Sequence, residues 1–452
     1  MRSFVRSRSM CEWDDFGERQ GFARAAMADP DGAPMPPFLL LSEPGLTAAD
    51  QRACSEIWMR KRIAAAAPDR DRLAFSFGAA PPEKIRLGYL SNDFQDHATA
   101  LLLVEMLEAQ DRSRFELHAY SYGADDGKAM RPRLQRAFDR FTDIGPLSDE
   151  AAARAIHADG VHILIDLKGF TQRTRTSILA LRPAPLQVNY LGYPGTLGAD
   201  LCDYIVTDAF VTPRASAADY AESFAFLPHS YQPRGHAGAI RRAPRRVDAG
   251  LPETGFVFCC FNQAFKFTPA VFDVWCRLLL EVPGSVLWLL AAREAEGNLR
   301  NEARLRGVDG RRLIFAPDMA QAEHLERLQL ADLVLDTAPY GAHTTASDAL
   351  WAGTPMVTRP GATFASRVAG SLLHAVGLPE LIVEDAEDYF ELASALALDP
   401  ARLAGLRRKL ADNRASAPLF DVIAYTRALE SLFFAMWTRH RAGLPHAAID
   451  AA

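Results

Sequence analysis

The chain has 452 residues, of which 49% are apolar and 23% are charged, and its formal net charge at pH 7 is −6. This length exceeds what one hydrophobic core supports, so two domains are expected, and the acidic balance argues against a chain-wide nucleic-acid surface. No apolar run approaches the roughly 20 residues of a membrane helix, and the six cysteines show no metal-site spacing, which indicates thiols in a reducing, cytoplasmic setting.

Residues 1–82 are predicted to be a poorly constrained leader followed by a short helical extension. The segment Thr47-Ala-Ala-Asp has the pattern of a helix start, and helical spacing continues to Arg62. Residues 30–37 are rich in proline and glycine, which favours a loop.

Residues 83–235 show short apolar runs that alternate with amphipathic stretches. The runs that indicate strands begin at Ile85, Phe115, His162, Gln187 and Tyr204, and helical patterns cover 98–109 and 149–158. Strand and helix in this alternation are typical of a parallel sheet with helices on both faces. We therefore expect a doubly wound, Rossmann-like α/β lobe.

The same pattern returns after a segment rich in proline, glycine and arginine, residues 236–253, which we interpret as a linker. Strand-like runs lie at 256–261, 286–290, 313–316, 333–335 and 356–358. They predict a second Rossmann-like lobe over residues 254–418. Residues 419–452 carry an apolar helical stripe and are predicted to form a terminal packing helix and tail.

A candidate anion site follows the predicted strand 333–335. Tyr340, Gly341 and Ala342 turn the chain into a helix that is expected to begin near His343, so that Thr344 and Thr345 lie in its first turn. Backbone N–H groups at a helix start lack helical acceptors and lie at the positive end of the helix dipole, so they suit a phosphate. The alternative is a threonine that merely caps an ordinary helix.

Further polar residues follow other strands of the second lobe. Asp348, one turn beyond Thr345, could accept from a ribose hydroxyl, and Lys266 could neutralise a departing diphosphate, with Gln263 beside it. His324 and Arg327 are one turn apart and could contact a base. Taken singly, Lys266 could instead be a surface lysine, and His324 and Arg327 a surface pair.

In the first lobe, His97 follows the first predicted strand and suits proton transfer or the holding of an acceptor. The segment 191–199 has three glycines at a strand end, where backbone could approach a ligand closely. Ligands of open α/β sheets bind beyond the carboxyl ends of the strands, so a cleft is the expected place for the chemistry.

Taken together, these segments resemble the catalytic region of the O-linked N-acetylglucosamine transferase family, including its bacterial and Spindly-like members. The resemblance covers about residues 84–440, in family order. It is carried by Arg86-Leu-Gly-Tyr-Leu-Ser-Asn-Asp-Phe with His97, Ala180-Leu-Arg-Pro-Ala-Pro-Leu-Gln-Val, Leu191-Gly-Tyr-Pro-Gly-Thr, Tyr220-Ala-Glu-Ser with Leu227-Pro-His, Phe261-Asn-Gln with Lys266, and His343-Thr-Thr with Asp348-Ala-Leu-Trp-Ala-Gly-Thr-Pro.

The resemblance implies a glycosyltransferase-B-type fold, with the acceptor side in the first lobe and the sugar nucleotide in the second. It implies inverting transfer of N-acetylglucosamine from UDP-N-acetylglucosamine to Ser or Thr hydroxyls of proteins, with no metal and no other cofactor. The resemblance also implies roles for single residues, with His97 in the active site. At the donor it implies Lys266 and His343-Thr344-Thr345 for the diphosphate, and Gln263 beside them. It implies Asp348 for the ribose, and Ala320, Gln321, His324 and Arg327 for the uridine. Lys168, Pro194 and Gly195 would lie on the acceptor side.

The chain departs from the family pattern in four places. The usual His-Pro pair is His97-Ala98, a second histidine is replaced by Leu101, an asparagine of the acceptor side by Lys168, and a lysine near the uridine by Gln321. The diphosphate residues match throughout. No tetratricopeptide repeat precedes the matching region, so acceptors are expected to be recruited differently.

Two alternatives stay open at the level of sequence. One is Spindly-type protein O-fucosylation from GDP-fucose, which the run Asp348-Ala-Leu-Trp-Ala-Gly disfavours because it follows the N-acetylglucosamine branch. The other is a regulatory protein that binds the sugar nucleotide without transfer, which the substitutions at Leu101 and Lys168 suggest.

Overall fold

A computed structural model describes residues 2–28, 35–78, 82–235, 240, 244–290 and 293–452. The chain divides into two units. The first unit comprises Ala26–Leu40, Leu46–Ala237 and Asp421–Ala452, and the second unit comprises Met1–Ala25, Leu41–Gly45 and Gly238–Phe420.

Each unit is built from helices and parallel strands. The helices of the described residues are α1 (Arg2–Met10), α2 (Phe16–Ala28), α3 (Pro37–Leu40), α4 (Ala48–Leu73), α5 (Ala98–Ala109), α6 (Met130–Ala137), α7 (Asp149–Ala158), α8 (Thr176–Ala180), α9 (Pro269–Glu281), α10 (Arg293–Leu305), α11 (Gln321–Leu328), α12 (Thr344–Ala352), α13 (Phe364–Ala375), α14 (Ala386–Leu398), α15 (Pro400–Asn413) and α16 (Val422–Arg441). The strands are β1 (Ile85–Ser91), β2 (Phe115–Ser121), β3 (Arg140–Asp143), β4 (Ile163–Asp166), β5 (Leu186–Asn189), β6 (Tyr204–Asp208), β7 (Ser223–Leu227), β8 (Val257–Cys260), β9 (Val286–Leu289), β10 (Leu313–Phe315), β11 (Leu333–Leu335), β12 (Met356–Val357) and β13 (Ile449–Asp450).

The first unit contains a parallel sheet in the order β13-β7-β6-β5-β4-β1-β2-β3. The five predicted strands are confirmed as β1, β2, β4, β5 and β6, and helices α5 and α7 have the predicted bounds. Strands β3, β7 and β13 were not predicted. Strands β3 and β13 lie at the two edges and carry exposed or half-buried residues, so they lack the apolar run that marks a buried strand.

The C-terminal helix α16 packs on the sheet of the first unit, where Leu432 and Phe433 are buried among residues of β1, β4 and β5. Polar contacts add to this packing: the Tyr425 hydroxyl donates to Tyr231 O at 2.5 Å, and Asp111 N donates to Glu430 Oε1 at 2.6 Å. The predicted packing helix is thus confirmed. It begins at Val422 rather than 419, and it belongs to the first unit rather than to a separate tail.

This packing predicts a large difference between two neighbouring phenylalanines of α16. Phe433 is fully buried, whereas Phe434 is 48% exposed and its ring contacts Arg114. Phe433→Ala is expected to lower the free energy of unfolding by about 3–5 kcal/mol, and Phe434→Ala by less than about 1 kcal/mol. Denaturant unfolding of both variants measures this, and equal losses would contradict the assignment of α16 to the core.

The second unit contains a parallel sheet in the order β10-β9-β8-β11-β12, which confirms its five predicted strands. Strands β8 and β11 are hydrogen-bonded neighbours, and Asn262 and Asp336 follow their carboxyl ends. Residues that are 74 positions apart in the sequence therefore come within hydrogen-bond distance. This edge of the sheet positions the candidate site.

The prediction of a poorly constrained leader is wrong. Residues 2–10 and 16–28 form α1 and α2, and the Trp13 ring between them packs edge-on against Phe272, with ring centres 5.3 Å apart. Asn298 Nδ2 also donates to Met10 O at 2.9 Å. These contacts with the second unit bury apolar surface and stabilise the helices, a long-range effect that no local pattern reveals.

The extension and the linker differ from expectation in detail. Helix α4 has the predicted start, with Thr47 and Asp50 in a capping box, but it continues to Leu73. Of the predicted linker, residues 236–239 and 241–243 lie outside the described residues, and Arg246 Nη2 donates to Asp332 Oδ2 at 2.7 Å. All six cysteines are buried and unbridged. No helix among the described residues has the length and apolar character needed to cross a membrane.

Candidate functional site

The loop between β11 and α12, residues 336–343, leads into a helix whose N-cap residue makes no side-chain capping hydrogen bond, which we call an open helix start. Helix α12 begins at Thr344, with His343 as its N-cap, which confirms the predicted start. The His343 side chain makes no capping hydrogen bond to this helix. The Thr345 hydroxyl donates instead to Asn262 Oδ1 at 2.7 Å, so the alternative of a simple threonine cap is wrong. The first turn of α12 therefore presents backbone N–H groups that suit an anion.

Lys266 lies under this loop, at the end of a short 3₁₀ turn that follows β8. Its side chain is 8% exposed, which excludes the alternative of a surface lysine. The Nζ atom donates to Gly341 O at 2.8 Å and lies 3.8 Å from the centre of the Tyr340 ring. Burial lowers the pKa of Lys266 to about 8, although the negative charge of Asp336 acts to raise it. The ammonium group is therefore mostly charged at neutral pH.

His343 is neutral at the start of α12. Its Nε2 donates to Ala365 O at 3.1 Å, and burial, with the nearby charge of Lys266, lowers the pKa of His343 to about 3. The local positive charge thus comes from Lys266 and the helix start. Thr344 is half-buried beside it, and Gln263 is exposed directly before the 3₁₀ turn of Lys266.

Helix α11 brings the predicted base-binding residues to the same edge of the sheet. His324 and Thr345 line one small cavity together with Asn262 and Phe261. Arg327 Nη2 contacts His324 Nδ1 at 2.8 Å, and the guanidinium lies 4.6 Å from the centre of the Phe261 ring. Arg327 is buried, so the alternative of a surface pair is wrong.

Asp348, the residue predicted to bind the ribose, is oriented by Gln321, one of the four departures from the family pattern. Asp348 is buried, and Gln321 Nε2 donates to its Oδ1 at 3.0 Å. Gln321 is the first residue of α11, and the exposed Ala320 is the N-cap of that helix. A neutral amide thus holds the carboxylate without neutralising its charge.

Two residues of this site were not assigned from the sequence. Asn262 Nδ2 donates to Thr337 Oγ1 at 2.8 Å while its Oδ1 accepts from Thr345, so one amide joins the loop to the helix. Asp336 is buried and accepts from Thr337 N, Ala342 N and Thr358 Oγ1. Their position directly after β8 and β11 was the available signal, since ligands meet such sheets there.

In the first unit, His97 is the N-cap of α5. Its Nδ1 accepts from Thr99 N at 3.2 Å, and its side chain is 44% exposed. Burial lowers the pKa of His97, although Asp93 acts in the opposite direction. A neutral imidazole that accepts at Nδ1 carries its proton on Nε2. This geometry favours holding an acceptor oxygen over removing a proton.

Lys168, predicted on the acceptor side, is buried in an ion pair. Its Nζ donates to Asp93 Oδ2 at 2.6 Å, and that oxygen also lies 3.6 Å from His97 Nδ1. Asp166 precedes Lys168 by two residues, and Gly169 N donates to its carboxylate at 2.6 Å. Burial raises the pKa of Asp166 to about 6. Lys168 therefore acts on the His97 environment through Asp93.

Two of the three glycines in residues 191–199 lie close against the protein's own backbone, and a Cβ at the third, Gly195, would meet the Tyr193 side chain. A Cβ at Gly192 would lie 1.9 Å from Leu167 O, and one at Gly198, where φ is +60°, would lie 2.7 Å from Glu56 N. Gly195 is buried after Pro194 and accepts from Asn189 Nδ2 at 2.9 Å. The close packing of the chain, rather than the approach of a ligand, explains Gly192 and Gly198.

Two parallel α/β units, with an open helix start beside a buried lysine in the second, place the protein in the glycosyltransferase-B class of fold. The model of Glycosyl transferase family 41 matches residues 69–247 and 240–429. The chain belongs to this family, which confirms the resemblance seen in its motifs.

Three comparisons describe the range of relatives. The chain is 40% identical over 369 residues to the probable UDP-N-acetylglucosamine–peptide N-acetylglucosaminyltransferase SEC of Arabidopsis thaliana, covering 80% of this chain and 38% of that protein. It is 32% identical over 372 residues to the similarly named SPINDLY protein of Petunia hybrida, covering 80% and 39%. A variant of the Thermobaculum terrenum O-GlcNAc transferase has a TM-score of 0.80 and 29% identity, with 93% of this chain and 79% of that chain covered. The chain thus spans about two fifths of the length of these curated relatives.

Proposed function

We propose that this protein is an inverting glycosyltransferase that moves N-acetylglucosamine from UDP-N-acetylglucosamine to Ser or Thr hydroxyls of proteins. The observation that carries the proposal is the buried Lys266 under the open start of α12, in a chain of family 41. The names of the SEC relative and of the Thermobaculum transferase support this donor. We propose that the protein acts in the cytoplasm, on protein or peptide acceptors.

The donor would lie along the edge formed by β8 and β11. The diphosphate would accept from the backbone of α12 at Thr344 and Thr345, with Lys266 beside it. The ribose would donate to Asp348, which Gln321 holds. The uridine would lie near His324 and Arg327, with Ala320 and Gln263 at the exposed rim.

In the transfer step, the oxygen of the acceptor hydroxyl attacks the anomeric carbon while the bond to the diphosphate breaks. The electron pair of that bond leaves negative charge on UDP, and the hydroxyl proton is released to solvent. Lys266 and the helix start lie where this charge would grow, and fixed positive groups of this kind are worth several kcal/mol in a transition state. We expect no metal in this role. Within the described residues no group of three or more His, Cys, Asp or Glu side chains could hold a metal ion.

His97 would orient the acceptor. Its Nε2–H can donate to a hydroxyl or sugar oxygen, while the Thr99 N–H holds the ring by donating to Nδ1. Lys168 pairs with Asp93, so the substitution at this position acts on the charge around His97. Pro194 and Gly195 stay predicted members of the acceptor side.

The proposal is tested by incubating the purified chain with labelled UDP-N-acetylglucosamine and host proteins, with the product sugar identified by mass spectrometry. Transfer of N-acetylhexosamine to Ser or Thr is the expected result. Thermal unfolding with UDP and with GDP separates the alternatives, since a ligand that binds the native state raises Tm. A Tm increase with GDP alone would favour fucosyl transfer, and binding of UDP with no transfer would favour a regulatory protein.

A further inference from the structure

We infer that Asp336 is a positioning residue of the donor site: its buried carboxylate holds the β11–α12 loop in place and supplies the negative charge that balances Lys266. The inference rests on the proposed function, because it assumes that Lys266 meets a diphosphate. Asp336 itself does not face the substrate in this arrangement, since it is 3% exposed beneath the loop.

Both carboxylate oxygens of Asp336 are occupied by the protein. Oδ1 accepts from Thr337 N at 2.7 Å and from Ala342 N at 2.6 Å, and therefore ties the first residue of the loop to one near its end. Oδ2 accepts from Thr358 Oγ1 at 2.6 Å, which links the loop to the end of β12. Charge-assisted hydrogen bonds of this length are about twice as strong as neutral ones. One side chain thus closes the loop on itself and on the neighbouring strand.

The loop that Asp336 closes is the one that carries the anion-binding groups. Thr337 Oγ1 donates to Tyr340 O at 2.6 Å and accepts from Asn262, whose Oδ1 accepts in turn from Thr345 of α12. Gly341 lies between the two charges: its carbonyl accepts from Lys266, and a Cβ on it would lie 3.0 Å from Asp336 Oδ2. A displacement of Asp336 would therefore reach both Lys266 and the helix start.

The charge of Asp336 raises the pKa of Lys266 and so opposes the effect of burial. The groups around Lys266 are Asp336 after β11, Cys260 of β8, and Tyr340 and His343 of the loop. Burial raises the pKa of Cys260 to about 12 and lowers that of His343 to about 3, so both are neutral near pH 7. Burial also raises the pKa of Tyr340, which keeps the phenol neutral.

Asp336 is thus the acid that opposes the desolvation of Lys266 among these described groups. Burial raises the pKa of Asp336, but hydrogen bonds from Thr358, Ala342 and Thr337, together with the charge of Lys266, favour the carboxylate form. Without this negative charge the pKa of Lys266 would fall below about 8, and the lysine would lose its charge nearer to neutral pH.

The experiment is UDP binding by calorimetry between pH 6.5 and 9.5, with the full chain and three variants. In the unchanged protein, affinity should fall as the pH rises through about 8, because Lys266 loses its proton. Asp336→Asn should move this midpoint at least one pH unit lower and weaken binding at least tenfold at pH 7.5, with recovery toward pH 6.5. Recovery at low pH is not expected from a purely structural defect.

Two further variants separate position from charge. Asp336→Glu keeps the charge but displaces the loop, and should weaken binding at every pH without moving the midpoint. Thr358→Val removes the donor to Oδ2 and should weaken binding about fivefold, again with an unchanged midpoint. Thermal unfolding establishes that each variant is folded, and Thr358→Val decides the loop-holding role if the Asp336 variants are not.

The outcomes distinguish this inference from the proposed function. If the unchanged chain binds UDP and transfers sugar while Asp336→Asn retains its affinity and midpoint, the inference is overturned alone. Full affinity in Thr358→Val would overturn the loop-holding role. If the unchanged chain neither binds UDP nor transfers sugar, the proposed function fails, and the inference fails with it.

Discussion

Lys266→Met is expected to lower kcat/KM for sugar transfer by at least about 100-fold, the usual loss when one stabilising group is removed from developing charge. Methionine keeps the apolar stem in its buried place but removes the ammonium that lies between Gly341 O and the Tyr340 ring. The remaining positive end of α12 cannot replace a full charge. Steady-state kinetics with labelled UDP-N-acetylglucosamine measures the effect.

A matched control lies in the same unit. Lys409 is an exposed lysine paired with Glu380 at 2.6 Å, and exposed pairs contribute little, so Lys409→Met should change kcat/KM by less than about twofold. The role of Lys266 also predicts a ligand pattern. Lys266→Met should weaken UDP much more than uridine, because only UDP carries the diphosphate. Equal loss for both ligands, or transfer at the normal rate, would refute the assigned role.

Asp348→Ala is expected to weaken UDP binding by about 10- to 100-fold, since a hydrogen bond to a charged group contributes about 1.5–3 kcal/mol. The carboxylate is buried and held by Gln321, so the substitution also leaves the Gln321 amide without this acceptor. Gln321→Ala should have a smaller effect in the same direction, because it removes orientation and not the acceptor. Calorimetric titration with UDP measures both.

A ligand without the ribose hydroxyls isolates the contact. For 2′,3′-dideoxy-UDP, Asp348→Ala should change affinity by less than about threefold, because the hydroxyls that Asp348 would accept from are missing. Asp412→Ala removes an exposed carboxylate near the end of α15 and serves as the control, with no change expected for either ligand. If Asp348→Ala weakens both ligands equally, Asp348 supports the fold of the site rather than the ribose.

Local patterns were sufficient for much of the fold. Helices α5 and α7 have the predicted bounds, and the start of α12 near His343 is confirmed. Such elements can be predicted because apolar periodicity and helix-start residues are properties of neighbouring positions. The exposed edge strand β3 carries no such pattern, and it was missed.

In the candidate site too, some features could be predicted from local patterns and others could not. Lys266 and Asp348 were predicted from their places after a strand and in a helix, and the family motifs gave them roles. That Lys266 is buried against Gly341 O, and that Lys168 pairs with Asp93, required the structure. Each of these pairs is 75 residues apart in the sequence. Their partners, and hence their charge states, depend on which strand ends become neighbours.

By itself, the sequence determined two parallel α/β lobes, an anion-suited helix start and membership of a transferase family, because these depend on local periodicity and short motifs. The tertiary structure alone decided that residues 2–10 and 16–28 form helices, that residues 2–25 belong to the second unit, that α16 completes the first unit, and that the charge of Asp336 acts on Lys266. The physical reason is that burial and electrostatic balance depend on contacts between distant residues. Those contacts exist only once the sheets have formed and brought the carboxyl ends of their strands together.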